Sequence, residues 1–473
     1  MVVFIHSFSS FFSSMAPIPS KEMDAISHVI LSSSCLSSLP RLLQSASSRC
    51  ARLYVSIDSS IPFQSTLQSV YKQASTHSPS LDVRVLLKRP RDGIPSLEPC
   101  DISPFTPPLS PEFTRVCLGG TFDRLHNGHK VLLSRAAMLT KDAIVCGVTT
   151  GQMIRKKTLW EMIEPVQERM LAVQEFVSDI ANVTCEMYPI EDPFGPSITM
   201  HDLEAIVVSA ETVKGGAAVN TKRQERGMSL LKMVEIELIE GEDSLLNETK
   251  LSSSSRRREA LGTLLRPVNH IARFKQYTIG LTGGIAAGKS NVAKDLREMG
   301  YEVIDCDQVA HDCYAPGSPL IARIESAFPG TTKNGEVNRK ALGDIVFSNK
   351  DKRLMLNSLV WPAVLDAVNR KVSEAPPSSV VFIEAAALVE AGWQGELNEI
   401  WTVFCGREEE LNRVVKRDKM TYQQAEARLS SQIDNCARLA ISNVAICSDW
   451  ERSITQSQVT KAVQLMEKRR NDK

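Results

Sequence analysis

The sequence predicts an α/β protein in which two domains with parallel sheets follow a small N-terminal module. Segments typical of strands and helices alternate over residues 115–240, and the alternation begins again at residue 277. Each region opens with a strand, a glycine-rich turn and a helix, which is the start of a β-α-β unit. The chain has 473 residues, enough for two or three domains of ordinary size. We therefore expect three parts, residues 1–110, 111–270 and 275–473.

The composition is typical of globular domains and excludes one class of partner. Hydrophobic residues make up 43% of the chain and charged residues 23%. The 55 Lys and Arg residues equal the 55 Asp and Glu residues, whereas a general nucleic-acid-binding protein would normally be basic. The 11 cysteines are scattered without a C-x-x-C pair, which favours a reducing compartment over a disulfide framework or a zinc module. We therefore expect no nucleic-acid partner and a cytoplasmic location.

Residues 1–110 combine a serine-rich leader with a small module and contain no catalytic constellation. Strands are predicted at Leu53–Ile57 and Leu81–Leu87, where apolar and polar residues alternate, and Pro90–Pro111 predicts a linker. The apolar stretch Val2–Met15 has no Lys or Arg, so it lacks the basic start of a secretory signal. No apolar run reaches the roughly 20 residues of a membrane span. Arginines without acidic neighbours over residues 25–57 leave peripheral membrane or mitochondrial association open, beside an untargeted leader.

The first alternating region predicts a parallel sheet covered by helices. The helix candidates are Gly128–Leu139 and Val166–Ile180, the second because its apolar residues recur at helical spacing. Ligands of such sheets bind at the carboxyl ends of the strands. The strand candidates are Arg115–Gly119, Ala143–Val148, Thr184–Ile190, Ala205–Ser209 and Val234–Ile239.

The second alternating region predicts a sheet of the same kind. Its first helix is Lys289–Met299, which Gly300 ends at the C′ position. Residues 241–276 connect the two regions, and by composition alone they would be a flexible linker before a short helix that Arg256 opens. The strand candidates are Tyr277–Thr282, Tyr301–Asp305, Val380–Glu384 and Glu399–Phe404.

A compact motif follows the first strand of the first region, Gly119-Gly120-Thr121-Phe122-Asp123-Arg124-Leu125-His126-Asn127-Gly128-His129. Its glycine pair permits a close backbone approach to a ligand, and the helix that begins near Gly128 offers free N–H groups to an anion. The imidazoles of His126 and His129 can donate hydrogen bonds to phosphate oxygens. Attack on an α-phosphorus builds charge on equatorial oxygens, and donors fixed in advance stabilise that charge without a protein nucleophile. The motif therefore predicts a nucleotidyl-transfer site.

Together with Lys130, this motif resembles the eukaryotic branch of the phosphopantetheine adenylyltransferase family, over Arg115–Leu265. The resemblance implies a Rossmann-like domain that joins ATP and 4'-phosphopantetheine into dephospho-coenzyme A and pyrophosphate. It implies that His129 and Lys156 are catalytic, and for Lys156 a solvated surface lysine is the alternative. It also implies a nucleotide-binding set, namely Gly119, Thr121, Phe122, His126, Ser253 and Ser254.

The serine run Leu251–Ser255 matches the serine-rich helix start of that family, whose backbone and hydroxyls hold the triphosphate. The resemblance therefore replaces the linker interpretation of this stretch. One departure concerns the G-L-R motif of bacterial members, whose arginine holds the nucleotide. The corresponding stretch here is Val208–Gly216, so the bacterial arginine roles do not transfer.

The second motif, Gly283-x-x-x-x-Gly288-Lys289-Ser290, satisfies the P-loop pattern completely. Its backbone N–H groups are expected to curl around the β-phosphate, while Lys289 reaches the β and γ oxygens and the Ser290 hydroxyl ligates Mg²⁺. A strand before the motif and a helix after it supply the required context. The predicted nucleotide-binding set is Thr282, Gly283, Gly284, Ile285, Ala286, Ala287, Gly288, Lys289 and Ser290.

Two charged pairs are candidates to complete this site. Asp305 and Asp307 follow the next strand, where a carboxylate could accept the proton of a substrate hydroxyl or help to hold the metal. A helix N-cap is the alternative role for these carboxylates. Arg413 and Arg417 are four residues apart, so they would share one helix face and could close over the transferring phosphoryl group. A pair of surface salt bridges is the alternative for the arginines.

From Tyr277 to Lys468 the sequence resembles dephospho-CoA kinase, most clearly in Thr278–Ser290 and Val303–Asp307. The resemblance implies a P-loop kinase that phosphorylates the ribose 3'-hydroxyl of dephospho-CoA. It implies that Asp307 is the general base and a metal ligand, Thr282 a contact near the reacting groups, and Arg417 the lid arginine, with Lys289 also catalytic.

Two departures from this family lie outside the phosphate loop. The proline of the usual D-x-P-L-L segment is missing from Glu384–Glu390. The usual A-D-x-V-I becomes Ser442-Asn443-Val444-Ala445-Ile446, so contacts to the adenine near the C-terminus do not transfer.

The two halves in this order resemble the bifunctional coenzyme A synthases of animals. The resemblance implies adenylyl transfer to 4'-phosphopantetheine and then 3'-phosphorylation of dephospho-CoA, with ATP and Mg²⁺. Two alternatives remain open: that only the kinase half is active, or that the chain is a non-catalytic scaffold that keeps both folds.

Overall fold

The computed structural model describes residues 26–33, 35–91, 93–97, 111–236, 253–333, 335–347 and 349–471. The chain divides into two compact units, Met1–Arg256 and Arg257–Lys473. The serine-rich leader and most of the predicted linker Pro90–Pro111 lie outside the described ranges. Among the helices of these ranges, none combines the length and the hydropathy that crossing a membrane requires.

Residues 26–97, called here the N-terminal module, form a three-stranded parallel sheet in the order β1-β2-β3 with two helices. β2 confirms a predicted strand, whereas β3 ends at Val85 rather than at Leu87. β1 was not predicted because Ser27 and His28 interrupt its apolar pattern, although both are buried in the fold. The elements are β1 (Ile26–Leu31), α1 (Leu39–Ser47), β2 (Arg52–Ile57), α2 (Phe63–His77) and β3 (Asp82–Val85).

The N-terminal module has no separate core. Its buried Val55 and Tyr71 belong to the same apolar cluster as Val131 and Phe176 of the next sheet layer. The backbone N–H of Leu87 also donates to the carbonyl of Ile180 at 2.7 Å. Because burial of apolar area drives folding, the module and the sheet that follows it stabilise each other.

The second sheet of the first unit has the order β6-β5-β4-β7-β8, and all of its strand pairs are parallel. The chain moves outward from β4 first to one side and then to the other, so the strand order reverses at the carboxyl end of β4. The elements are β4 (Phe113–Gly120), α3 (Asn127–Leu139), β5 (Thr140–Thr149), α4 (Gln152–Arg155), α5 (Val166–Ile180), β6 (Thr184–Ile190), β7 (Ala205–Ser209), α6 (Val213–Glu225), β8 (Lys232–Ile236) and α7 (Ser253–Ala260).

The second unit contains a parallel five-stranded sheet in the order β10-β13-β9-β14-β15. Every residue of β13 and β14 is buried, as expected of a parallel sheet with both faces covered. The elements are β9 (Tyr277–Gly283), α8 (Lys289–Glu298), β10 (Glu302–Asp305), α9 (Cys306–Cys313), α10 (Pro319–Ala327), β11 (Thr332–Lys333), β12 (Glu336–Val337), α11 (Arg339–Phe347), α12 (Lys350–Glu374), β13 (Val380–Glu384), β14 (Glu399–Phe404), α13 (Arg407–Asp418), α14 (Tyr422–Ser430), α15 (Asn435–Ile441), β15 (Val444–Cys447) and α16 (Arg452–Asn471).

The predicted fold class is confirmed, because each unit has a parallel sheet covered by helices. The central strands β4 and β9 both end in a glycine and lead through a turn into a helix. Each turn lies at the point where the strand order reverses, which is where open α/β sheets bind their ligands.

Candidate functional site

The first candidate site lies at the carboxyl end of β4, which Gly119 and Gly120 terminate. His126 precedes α3 in an extended conformation, with φ −106° and ψ 171°. The rings of His126 and His129 stack, with centroids 3.8 Å apart and an interplanar angle of 22°. The ring of buried Phe122 lies 5.2 Å from that of His129. The structure thus brings three of the predicted residues together at the first turn of α3.

Burial disfavours the charged form of both imidazoles of this pair and so lowers the pKa of each. Burial, followed by the charges of Arg256 and Lys130, lowers the pKa of His126 to about 4. Burial, followed by His126 and Lys157, holds the pKa of His129 well below its ordinary value. The Nδ1 atoms of both rings are buried and have no hydrogen-bond partner among the described residues. The pair therefore keeps hydrogen-bonding capacity that a phosphate ligand could use.

We predict that His126 of the ligand-free protein titrates near pH 4 rather than near its ordinary 6.5. The folded state binds this proton less readily than the unfolded chain does. The contribution of the neutral ring to stability is therefore present above pH 6.5 and is lost as the pH falls towards 4. NMR of ¹³C-histidine-labelled protein measures the midpoint, and the His126→Gln variant assigns the signal. A midpoint near 6.5 would show that burial does not govern this ring.

A buried arginine ties together the loops behind the first site. Nη1 of Arg169, on α5, donates to the carbonyl of Thr121 at 2.6 Å and to that of Thr149 at 3.0 Å. Nε of the same side chain donates to the carbonyl of Glu164 at 2.8 Å. The hydroxyls of Thr121 and Thr149 also share a hydrogen bond of 3.0 Å. Arg169 thus fixes the distance between the carboxyl ends of β4 and β5, and sequence reasoning did not find it.

Ser253 of the serine run lies near the histidine pair, whereas Lys156 of the lysine pair is exposed. Ser253 Oγ lies 3.5 Å from His126 Nε2, and Ser254 is the next residue of α7, while residues 251 and 252 lie outside the described ranges. Lys156 follows α4 and is exposed, whereas the lysine whose charge acts on His129 is its neighbour Lys157. The catalytic role of Lys156 stays a prediction, and Lys157 becomes a second candidate.

The second candidate site is the loop Gly283–Gly288 between β9 and α8, which joins the predicted loop residues Gly284, Ile285, Ala286 and Ala287 in one turn. Gly283 has no room for a side chain, because a Cβ there would lie 2.1 Å from the carbonyl oxygen of Val403. Gly288 precedes α8 with φ +96°, a conformation that L side chains rarely adopt. Nζ of Lys289 donates to the carbonyls of Gly283 and Gly284, both at 3.0 Å, so its ammonium lies against the loop.

The hydroxyl of Ser290 donates to Oε1 of Glu384 at 3.2 Å. Glu384 ends β13, the neighbour of β9, and burial together with Asp305 raises its pKa, against the effects of Ser290 and Lys289. A hydroxyl and a carboxylate are ligands that Mg²⁺ accepts, and this ion usually takes its other ligands from water and phosphates. The pair therefore fits Mg²⁺ although, within the described ranges, no cluster of three or more His, Cys, Asp or Glu could hold a metal. The carboxylate bonded to Ser290 is Glu384, and ligation by Asp307 stays a prediction.

The two aspartates after β10 have different surroundings. Oδ1 of Asp305 accepts from the backbone N–H groups of Asp307 at 2.9 Å and Gln308 at 3.1 Å, so the N-cap alternative is correct for Asp305. Asp307 is exposed and lines a cavity of about 290 Å³. Thr282, in contrast, is buried, and its hydroxyl donates to the carbonyl of Ala386 at 3.4 Å. The cavity is mostly apolar, and its other lining residues include Ala310, His311, Tyr314, Val337, Leu342 and Leu356.

Arg413 and Arg417, both on α13, have different partners. Nη1 of Arg413 donates to the carbonyl of Ala286 at 3.2 Å, and the same guanidinium bonds the Oγ and the carbonyl of Ser448 at 2.9 and 2.6 Å. Arg417 is exposed and forms two bonds to Asp418, at 2.8 and 3.0 Å. Arg413 thus braces the loop and also pairs with Glu409 at 2.7 Å, while Arg417 pairs with Asp418. Closure of the two arginines over a phosphoryl group stays a prediction. The lid role of Arg417 stays a prediction.

A layer of polar side chains behind the phosphate loop was not found by sequence reasoning. Oε1 of Gln432 accepts from the backbone N–H of Ile285 at 2.9 Å. Buried Glu410 accepts from Nδ2 of Asn435 at 3.3 Å, and its Oε1 would lie 2.7 Å from a Cβ on Gly284. A phosphate that used the N–H of Ile285 would have to displace the Gln432 carbonyl.

Two family models match the chain, one on each site. The cytidylyltransferase-like model matches residues 117–266, and the dephospho-CoA kinase model matches residues 277–453. The first range contains the histidine pair, and the second contains the phosphate loop, Glu384 and Asp307.

Several proteins are similar to the second half. The dephospho-CoA kinase of Carboxydothermus hydrogenoformans is 34% identical over 190 residues, which cover 39% of this chain and 92% of that protein. That of Moorella thermoacetica is 36% identical over 197 residues, covering 41% of this chain and 93% of that protein. A solved dephospho-CoA kinase from Campylobacter jejuni matches 40% of this chain and 97% of its own, with 25% identity and a TM-score of 0.33.

The curated relatives are matched over nearly their whole length at more than 30% identity. The kinase and the nucleotidyltransferase-like domain together make the protein a nucleotide-binding transferase of coenzyme A biosynthesis. The chain belongs to the dephospho-CoA kinase family and carries a cytidylyltransferase-like domain ahead of the kinase, the combination found in a bifunctional coenzyme A synthase.

Proposed function

We propose that the chain catalyses the last two steps of coenzyme A biosynthesis. The first half would adenylylate 4'-phosphopantetheine to dephospho-CoA and pyrophosphate, and the second would phosphorylate dephospho-CoA on its ribose 3'-hydroxyl. The observation that carries the proposal is that one chain has two helix starts equipped for phosphates, each with its own polar side chains. The first product is the second substrate, which gives the pairing a chemical reason.

In the adenylyl transfer, a phosphate oxygen of 4'-phosphopantetheine would attack the α-phosphorus of ATP, and pyrophosphate would leave. His126, His129 and the free N–H groups at the start of α3 would bind the phosphate oxygens and stabilise the charge that develops on them. No side-chain nucleophile is required. Ser253, whose Oγ lies 3.5 Å from His126, would bind the same triphosphate from α7.

In the phosphoryl transfer, the 3'-hydroxyl would give its proton to Asp307 as its oxygen attacks the γ-phosphorus, and ADP would leave. The apolar cavity that Asp307 lines would hold part of the acceptor substrate, while Lys289 would neutralise charge on the transferring group. Ser290 and Glu384 would hold Mg²⁺, directly or through water, and this ion supplies neutralisation of the phosphate oxygens. Glu384 would then be ionised, since a bound cation opposes the effect of burial on its pKa.

The test is a time course with purified full-length protein, 4'-phosphopantetheine, ATP and Mg²⁺, in which chromatography follows both products. We expect dephospho-CoA to rise and then give way to CoA, with pyrophosphate released in step with the first product. If CoA formed from added dephospho-CoA but not from 4'-phosphopantetheine, only the kinase half would be active. The absence of all three products, together with no CoA from added dephospho-CoA, would indicate a non-catalytic scaffold.

Association of the N-terminal region with a membrane surface or with mitochondria stays a prediction. The leader on which it depends, residues 1–25, lies outside the described ranges.

A further inference from the structure

The helix that carries the histidine pair is held on another face by the N-terminal module. Nδ2 of Asn127, on α3, donates to Oγ of Ser75 at 2.9 Å and to the carbonyl of Tyr71 at 3.2 Å. Both acceptors belong to α2 of the module. Asn127 is buried and directly follows His126.

The second contact is a buried ion pair. Nζ of Lys130 donates to Oδ1 of Asp82 at 2.6 Å and to the carbonyl of Val83 at 3.0 Å, both on β3. Lys130 is only 5% exposed, so its charge depends on this partner. Asp82 also accepts from Nε of Arg52 at 2.8 Å and from Nε of Arg84 at 3.0 Å. Asp82 therefore contacts three cations; Arg52 and Arg84 also bond Asp179, at 3.4 and 2.6 Å, whereas the carboxylate partner of Lys130 is Asp82.

The spacing of these contacts connects them to the site. Residues three apart lie on one helix face, so Asn127 and Lys130 share a face, and His126 and His129 share the neighbouring one, about 100° away. Asn127 and Lys130, which make the two contacts with the module, each directly follow one of the two histidines in the sequence. A shift of the first turn of α3 would therefore move both imidazoles together. Lys130 is bound by the module, although it adjoins the phosphate-binding motif in the sequence.

We propose that Asn127 and Lys130 are positioning residues for the adenylyl transfer, and that the N-terminal module is the template that fixes the histidine pair through them. This inference rests on the function proposed above for the first half. Reaction rates are sensitive to misplacement of catalytic groups by about 1 Å. Loss of the Asp82 charge would leave the ammonium of Lys130, which is only 5% exposed, without this carboxylate and beside Arg52 and Arg84, and relief of the repulsion would displace α3.

A matched control exists at another contact of the same module. Asp179, near the end of α5, accepts from Tyr54 at 2.7 Å and from Arg84 at 2.6 Å. It lies ten residues beyond Arg169 on the helix, or about 15 Å along its axis. Asp179 also bonds Arg52 and Arg91, but within the described residues it forms no hydrogen bond or ion pair with α3, so Asp179→Asn weakens the attachment of the module away from that helix.

The test compares Asp82→Asn, Lys130→Met and Asp179→Asn in the full-length protein, with pyrophosphate release as the first activity and phosphorylation of added dephospho-CoA as the second. We expect Asp82→Asn to lower kcat of the first step by about tenfold to a hundredfold, with the KM for 4'-phosphopantetheine little changed. The double variant Asp82→Asn/Lys130→Met should be no slower than Asp82→Asn, since removal of the lysine relieves the repulsion. Asp179→Asn should lower Tm but keep the first kcat within about twofold of the wild type.

The outcomes separate this inference from the proposed function. A wild-type protein without pyrophosphate release removes the function of the first half, and the positioning role with it. An active wild type whose Asp82→Asn variant keeps its kcat, or whose variants lose kcat only in proportion to Tm, overturns the positioning role alone. If Asp82→Asn does not fold, Lys130→Arg replaces it: partial kcat and normal stability support the inference, and full kcat contradicts it.

Discussion

Lys289→Ala should stop the chain at dephospho-CoA. The ammonium of Lys289 lies against the carbonyls of Gly283 and Gly284, inside the loop that is expected to hold the phosphates. Without it, the charge on the transferring phosphoryl group loses a fixed cation, and the loss of one such donor lowers kcat on the order of 10²–10³-fold. With 4'-phosphopantetheine and ATP, chromatography should show dephospho-CoA accumulating at the wild-type rate and almost no CoA.

The control for this experiment is Lys294→Ala on the same helix. Lys294 is exposed, and among the described residues its ion-pair partner is Glu298 at the surface, 3.6 Å away, so its loss should leave both activities unchanged. If Lys289→Ala lowered pyrophosphate release as strongly as CoA formation, the phosphate loop would serve the first reaction as well, and the assignment of separate sites would fail.

His129→Ala should stop the chain one step earlier. The variant removes one ring of the stacked pair and leaves His126 without the neighbour whose centroid lies 3.8 Å away. We expect dephospho-CoA formation to fall on the order of 10²–10³-fold, because a preorganised donor to the phosphate oxygens is lost. Phosphorylation of added dephospho-CoA should continue at the wild-type rate, and the same chromatographic assay measures both.

His201→Ala is the matched control, because His201 is an exposed histidine of the same unit. It should retain both activities, and a thermal melt of each variant shows whether the fold survives. A His129→Ala protein that keeps normal pyrophosphate release would contradict the proposed role of the histidine pair.

The sheets of both nucleotide-binding regions could be predicted from the sequence to within a few residues. Their strands are short apolar runs, and Val380–Glu384 and Glu399–Phe404 have the predicted bounds. Such runs are easy to recognise because parallel strands are buried on both faces. The motif residues also fall at the turns where they were expected, since a glycine pattern between a strand and a helix specifies its own local structure. The domain boundaries stay predictions.

Pairings across the sequence could not be predicted in the same way. Glu384 lies 94 residues from Ser290 in the chain, and only the strand order brings them together. Arg413 and Arg417 share a helix, but their spacing did not indicate that Arg413 would be the one to bond the carbonyl of Ala286 in the phosphate loop. Arg169 did leave a signal, because it lies one turn before buried Val173 on the inward face of α5, where a charge is unusual.

The structure of the N-terminal module is the part of the fold that the sequence predicted least well. Its predicted strands were correct in part, but nothing in residues 26–97 indicated that their core would merge with that of the next sheet. The ion pair between Asp82 and Lys130 joins residues from regions that the sequence assigns to separate parts. The module is therefore attached to the helix whose first turn holds the histidine pair.

The most direct test of the account is the number of nucleotides that one chain binds. Equilibrium dialysis of the full-length protein with a saturating, slowly hydrolysed ATP analogue and Mg²⁺ gives this number without any turnover. Two separate helix starts predict two analogue molecules per chain, and Lys289→Ala should weaken the binding of one of them only. Saturation at one analogue per chain would contradict the claim that each half holds its own triphosphate.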